Sequence, residues 1–272
     1  MDADASLLAA RSEPLGLWTR EAKPPQAHPD LGALRLEYTS RGDRVPVRLL
    51  LPPGGEEPFA LVLLQHGLWG SKDAAYLDAA AGPWVRAGAA VASIDFPLHG
   101  ERADAKLAPL LAAAVAPAAD ADPTTGAFVV EWVRQSVLDL ARALDALQSL
   151  PAIDGARIVY AGFSLGAIIG ATFCALDPRP RAAALALGGS GLGPAEADPA
   201  RTVARFAPRP LLFVNATCDA TIPREASEAL FEAAGEPKQI LWFEGTHTSL
   251  PGKALQSMWL FLKRHLGLGE AP

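Results

Sequence analysis

The sequence predicts one α/β domain on an eight-stranded, mostly parallel sheet flanked by helices, with a small lid segment. Three observations lead there. Short, near-continuous apolar runs alternate with longer amphipathic segments, as expected of strands covered by helices on both faces. The chain has 272 residues, half of them hydrophobic and a fifth charged, enough to bury a large core and too apolar for global disorder. It contains no internal repeat.

Residues 1–30 are Pro-rich and lack a period, so they read as an extension that wraps the surface or frays. The domain proper spans 31–267, with a tail at 268–272. Leu34–Thr39 and Val45–Leu51 flank Ser40-Arg41-Gly42-Asp43-Arg44 and form an antiparallel hairpin. The buried strands follow: Leu61–Gln65, Ala90–Asp95, Ile158–Gly162, Ala182–Gly188, Leu211–Asn215 and Gln239–Glu244.

Helices fill the intervals. Ala74–Ala87 ends at Gly88, a good C-cap, and Gly82-Pro83 is expected to break or restart it. Phe128–Leu150 carries Val133, Val137, Leu140, Leu144 and Leu147 at helical spacing. Glu225–Ala234 lies between Pro223 and Gly235, and Ala254–Leu266 ends in Lys263-Arg264-His265, cations suited to a helix C-terminus. Residues 103–127 are Ala/Pro/Asp-rich without a strong pattern, a possible lid insert.

Composition excludes several classes of function. Lys and Arg number 24 against 30 Asp and Glu, a net charge of −6, which argues against a duplex nucleic-acid binder. No apolar run reaches the ~18–20 residues of a membrane span. The start, Met1-Asp2-Ala3-Asp4-Ala5, is acidic where a secretory leader is basic, so a cytoplasmic protein is expected. Cys174 and Cys218 lie in apolar stretches and read as reduced core thiols. No His, Cys and Asp cluster has metal-ligand spacing. Gly188–Gly193 and Gly67–Lys72 do not fit dinucleotide or phosphate-loop patterns. Neither a cofactor nor a metal is expected.

The sharpest feature is Gly162-Phe163-Ser164-Leu165-Gly166 between a strand and an apolar helical segment. This is the nucleophile-elbow pattern in its strand–turn–helix setting, where small residues two before and two after the serine permit a very tight turn. A serine hydroxyl is a weak nucleophile and needs a base held by an acid, which in such folds follow in the order Ser, acid, His. After Ser164 only His247 and His265 remain. His247 sits in a Gly-containing loop just past the last strand, whereas His265 is explained by the helix end. Asp219, in the loop after Leu211–Asn215, is the candidate acid, with Glu244 as runner-up; a helix N-terminal carboxylate is the plainer reading of Asp219. For an oxyanion the N–H of Leu165 and that of Leu68, in Gln65-His66-Gly67-Leu68-Trp69-Gly70-Ser71, are the candidate donors. His66 reads as a structural hydrogen-bonding group. Trp69, Leu98, Phe163 and Ile222 are candidate pocket walls, and equally candidates for plain core.

With these motifs the chain resembles the serine α/β-hydrolase superfamily over roughly residues 34–266, and within it the compact branch of dienelactone hydrolases and single-domain acyl esterases. Asp95-Phe96-Pro97-Leu98-His99-Gly100-Glu101-Arg102 is similar to the segment after the fourth strand in that branch, where the histidine is usually structural. Dienelactone hydrolase proper has a Cys nucleophile where this chain has Ser164, so its substrate does not carry over. The short stretch 189–210 leaves no room for the large cap found elsewhere in the superfamily. The resemblance implies a serine esterase acting on a small-molecule carboxylic ester or thioester through an acyl-enzyme. Acyl transfer and amide or peptide hydrolysis use the same constellation, and a non-catalytic ligand binder is the alternative of a different class.

Overall fold

The computed structural model describes residues 12–114 and 123–269. Residues 1–11 of the expected extension, 115–122 of the expected lid insert and 270–272 of the tail lie outside the described residues.

Nine strands form one sheet: β1 (Trp18–Glu21), β2 (Gly32–Ser40), β3 (Asp43–Leu51), β4 (Phe59–Gln65), β5 (Ala89–Ile94), β6 (Ile153–Phe163), β7 (Ala183–Ala186), β8 (Leu211–Ala216) and β9 (Lys238–Phe243). Their order is β1-β2-β3-β5-β4-β6-β7-β8-β9. Contacts β1/β2, β2/β3 and β3/β5 are antiparallel, and all pairings from β5 to β9 are parallel. Among the described residues six α-helices accompany them: α1 (Ala75–Arg86), α2 (Ala108–Ala114), α3 (Pro123–Gln148), α4 (Leu165–Leu176), α5 (Arg224–Ala233) and α6 (Gly252–Leu266).

The central strands are apolar on both faces because each face meets a helical layer. In β4, Phe59, Leu61 and Leu63 join the core with Leu140, Leu144 and Leu147 of α3 and Ile169 and Phe173 of α4. The alternate residues Ala60, Val62 and Leu64 pack with Trp84 of α1 and Met258 and Leu262 of α6. Period-two alternation along one strand thus feeds two cores.

Four local features differ from the sequence reading. First, Trp18–Glu21 adds an edge strand to β2. All four residues are exposed, so the ladder is made by backbone and leaves no hydrophobic pattern. Second, α1 runs unbroken through Gly82-Pro83. The His28 ring lies over Gly82, where a Cβ would meet it at 2.1 Å, and its Nε2–H donates to the Asp78 carbonyl at 2.9 Å, supporting the helix there. Third, part of 103–127 is helical, as α2 and the first turn of α3. Fourth, Cys174 is buried but Cys218 is exposed, because it falls two residues past β8 in a surface loop. Among the described residues no helix is long and apolar enough to cross a membrane.

Sheet order positions the site. From β4 the chain goes to β5 on one side, then returns through α3 to β6 on the other side of β4. Such a reversal opens a crevice at the carboxyl ends of the two strands. Gln65 and Gly162 are paired there, so residues 66–72 and the turn at Ser164 leave the sheet side by side.

Candidate active site

Ser164 sits between β6 and α4 with φ 52° and ψ −112°, a strained conformation for a non-glycine residue. Both flanking glycines are required by space. A Cβ on Gly162 would stand 2.3 Å from the Gly166 carbonyl oxygen, and one on Gly166 would stand 2.8 Å from the Gln65 carbonyl oxygen. The Ser164 N–H donates to the Ala186 carbonyl at 2.8 Å and ties the turn to β7. Leu165 opens α4, so its N–H has no acceptor within the helix and lies at the helix's positive end.

Two further loops converge on this turn. His247, past β9, approaches the Ser164 Oγ with its Nε2 at 2.9 Å. Its Nδ1 faces Asp219 Oδ2 at 2.8 Å. The other oxygen, Asp219 Oδ1, accepts from the N–H groups of Thr221 and Ile222 at 2.8 and 2.9 Å. An acceptor on each side of the carboxylate is thereby used, and the ring is held with Nδ1–H toward Asp219 and Nε2 free to accept from the hydroxyl. The loops are stitched together by Thr217 N–H on the Phe243 carbonyl and Cys218 N–H on the Gly245 carbonyl, at 2.9 and 3.0 Å.

The segment 66–72 is built differently. His66 is fully buried, and burial drives its pKa down to about 4. The neutral ring accepts from the Phe96 N–H on Nε2 at 3.2 Å and donates Nδ1–H to the Gly67 carbonyl at 2.7 Å. That carbonyl also accepts from the Gly70 N–H at 3.0 Å. Because a trans peptide points its C=O and N–H in opposite directions, the two donors on Gly67 O fix the direction of the Leu68 N–H. The turn places Trp69 at φ 61°, where a type II turn favours glycine, and leaves its indole 57% exposed.

Behind the turn, Asp95 at the end of β5 accepts from the Lys72 N–H on Oδ1 at 2.7 Å. Its Oδ2 accepts from Lys72 Nζ at 2.7 Å and from the Glu101 N–H at 2.9 Å. Lys72 Nζ also reaches Glu101 Oε1 at 2.6 Å. Burial opposes the ammonium charge, yet the hydrogen bonds to Asp95 and Glu101 outweigh it and hold the Lys72 pKa above its ordinary value. Gly100 (φ 54°) lies so close that a Cβ would meet the Asp95 carboxyl at 2.3 Å. Sequence reasoning had no role for Lys72 or for the Asp95 carboxylate. The visible signal was Asp95 itself, a charge closing an otherwise apolar strand.

Of the expected pocket walls, Leu98 lines a cleft of about 330 Å³ with Pro97, Leu107, Phe128 and Trp132. Phe163 and Ile222 are buried, with Phe163 in the α1-side core. His99 is buried beside Trp69 and Trp132 and donates Nδ1–H to the Pro97 carbonyl; burial lowers its pKa. Glu244 is exposed, and the carboxylate on His247 is that of Asp219. Among the described residues no group of three or more His, Cys, Asp or Glu could hold a metal ion.

Solved structures share this architecture. An acetyl xylan esterase from Paenibacillus sp. R4 is 19% identical, with 97% of this chain and 92% of that chain covered and a TM-score of 0.77. A cold-adapted esterase from an Arctic intertidal metagenomic library, in a PEG-bound complex, is 23% identical, with 93% and 99% covered and a TM-score of 0.68. A putative dienelactone hydrolase from Klebsiella pneumoniae subsp. pneumoniae MGH 78578 is 16% identical, with 93% and 99% covered and a TM-score of 0.62. No family model and no curated protein matches the chain. The chain has the α/β-hydrolase fold.

Proposed function

We propose that this protein is a serine hydrolase that cleaves small-molecule carboxylic esters or thioesters. The observation that carries the reading is the continuous hydrogen-bonded line Ser164–His247–Asp219 at the N-terminus of α4. The names of the similar structures, esterases among them, favour an ester over an amide. The two unpaired cysteines suit a reducing compartment such as the cytoplasm.

In the proposed mechanism His247 Nε2 takes the hydroxyl proton as Ser164 Oγ bonds to the carbonyl carbon. The carbonyl π pair moves to oxygen, and the Leu68 and Leu165 N–H groups hold the resulting oxyanion. The imidazolium, stabilised by Asp219, then protonates the leaving alcohol or thiol as its bond to carbon breaks. Water repeats the sequence on the acyl-enzyme, giving the acid and free Ser164. The proposed substrate approach is beside the exposed Trp69, which stands next to His99; the cleft that holds Leu98 and Leu107 lies on that side but is lined by none of Ser164, Asp219 and His247.

The test is labelling by an organophosphonate together with hydrolysis of a p-nitrophenyl ester series. Wild type is expected to react in both assays. Ser164→Ala is expected to take no label and to lose on the order of 10⁴–10⁶ in kcat. Near-full ester turnover by Ser164→Ala would sink the reading.

A further inference from the structure

We propose that Tyr76 is a positioning residue of the oxyanion hole, acting through the backbone of Gly67; this rests on the hydrolase reading above. The Gly67 N–H donates to Tyr76 Oη at 2.7 Å. Gly67 itself lies against the nucleophile: a Cβ built on it would be 3.3 Å from Ser164 Cβ and 3.7 Å from the phenol oxygen.

Space explains why position 67 is glycine, and glycine creates a difficulty. A residue without a Cβ allows the backbone to approach Ser164, but it is also the residue with the most conformational freedom. Both peptides that meet at its Cα therefore need outside support. The peptide to Leu68 is held at the Gly67 carbonyl by His66 and Gly70. The peptide from His66 has its N–H held by Tyr76. With both pinned, the Leu68 N–H keeps one direction, the property an oxyanion donor requires.

The phenol is itself well placed to serve. Tyr76 lies in the first turn of α1, and its ring meets Phe163 edge-on, with centroids 5.8 Å apart at 81°. Phe163 immediately precedes Ser164, so the tyrosine spans from one side of the nucleophile to the loop on the other. Gly70 makes room for the hydroxyl, since a Cβ there would stand 2.7 Å from it. Burial raises the phenol pKa, against the lowering effect of the Gly67 N–H, so the hydroxyl stays protonated in the working range. Its bond with Gly67 also takes that N–H out of competition for the oxyanion.

Tyr76→Phe removes the oxygen and keeps the ring packed on Phe163. Deleting an oxyanion donor outright costs about 10²–10³ in kcat; releasing one peptide that orients such a donor is expected to cost about tenfold. The expected result on p-nitrophenyl acetate is a roughly tenfold fall in kcat with KM within about twofold. The rate of organophosphonate labelling should fall by the same factor, because the phosphonyl oxygen takes the oxyanion's place. Unchanged kcat and labelling rates, or a loss confined to KM, overturn the role, as does a lowered melting temperature with both rates preserved. A wild type that neither labels nor turns over ester sinks the hydrolase reading and this role together. Normal wild-type labelling with an unimpaired Tyr76→Phe sinks this role alone.

Discussion

The loops that bring Asp219 and His247 to Ser164 are partly exposed and joined to one another by a few hydrogen bonds, whereas residues 66–72 are braced from several sides, by the buried His66, Lys72 and Asp95 and by the partly exposed Tyr76. On the hydrolase reading the reacting atoms of the first region belong to side chains. In the proposed mechanism the groups that act from the second are backbone amides, and the side chains nearby hold those peptides still. A group that passes a proton has to change its hydrogen bonds during turnover. A backbone donor works by not moving, since its alignment must precede the charge it stabilises. The difference in construction matches the different duties that the proposed mechanism gives the two regions.

The largest expected effect tests the side-chain region. In Asp219→Asn the amide orientation is dictated by the Thr221 and Ile222 N–H groups, which need an acceptor. The carbonyl oxygen stays with them and the NH₂ turns to His247 Nδ1, which must then accept. The proton moves to Nε2, leaving nothing to take the Ser164 hydroxyl proton. The expected loss is on the order of 10⁴ in kcat with stability little changed. Equal losses of activity and of folded protein would show instead that Asp219 is chiefly a loop anchor.

Asp95→Asn probes the braced region and reverses the balance. Three donors converge on its carboxylate, so an amide must set its NH₂ against at least one of them. Lys72 keeps Glu101, which places the expected destabilisation near the lower end of that for a broken buried pair, about 3 kcal/mol. Urea unfolding reads it. Esterase activity per folded molecule should also fall, since the loop bearing Leu68 loses its anchor; a loss of less than about 1 kcal/mol would mean that the brace contributes no more than a surface ion pair.

The same contrast decides what the sequence reveals. Ser164, Asp219 and His247 can be singled out by residue type and place together: a serine between close glycines, and an acid and a histidine just past strands, are side chains for which packing alone has little use there. The central strands β4, β5, β7 and β8 are legible for a similar reason, since burial on both faces forces an unbroken apolar run, whereas the partly exposed β2 was legible from its place in a hairpin with β3. Tyr76 and Lys72 carry no such mark, and Asp95 carries only that of a charge closing an apolar strand. Tyr76 and Asp95 work by touching backbone N–H groups, and Lys72 by meeting two carboxylates, all placed by the finished fold, and a partly exposed tyrosine in the first turn of a helix reads as surface. Pro83 misled because its usual effect on a helix is local, while His28 comes from 50 residues away to support the carbonyl of Asp78. β1 was invisible because a ladder of four exposed residues needs no pattern at all.

His66 gives the smallest of these effects and separates the two regions by pH. Its folded pKa is about 4 against an ordinary 6.5. Between those values the unfolded chain binds a proton that the buried ring refuses, so falling pH favours unfolding. The contribution is complete above about pH 6.5 and is lost as pH drops through about 4, a difference worth about 3 kcal/mol. His66→Asn retains a donor for the Gly67 carbonyl but strands the Phe96 N–H, which makes it less stable at neutral pH by about 1–3 kcal/mol. It cannot titrate, so its stability should fall less steeply from pH 7 to pH 4, and the carboxylates common to both chains cancel in the comparison. Urea unfolding at intervals across that range is therefore expected to show the wild-type advantage shrinking toward pH 4. Parallel curves would mean that the folded chain takes up the His66 proton as readily as the unfolded one, with the ring still on the Gly67 carbonyl.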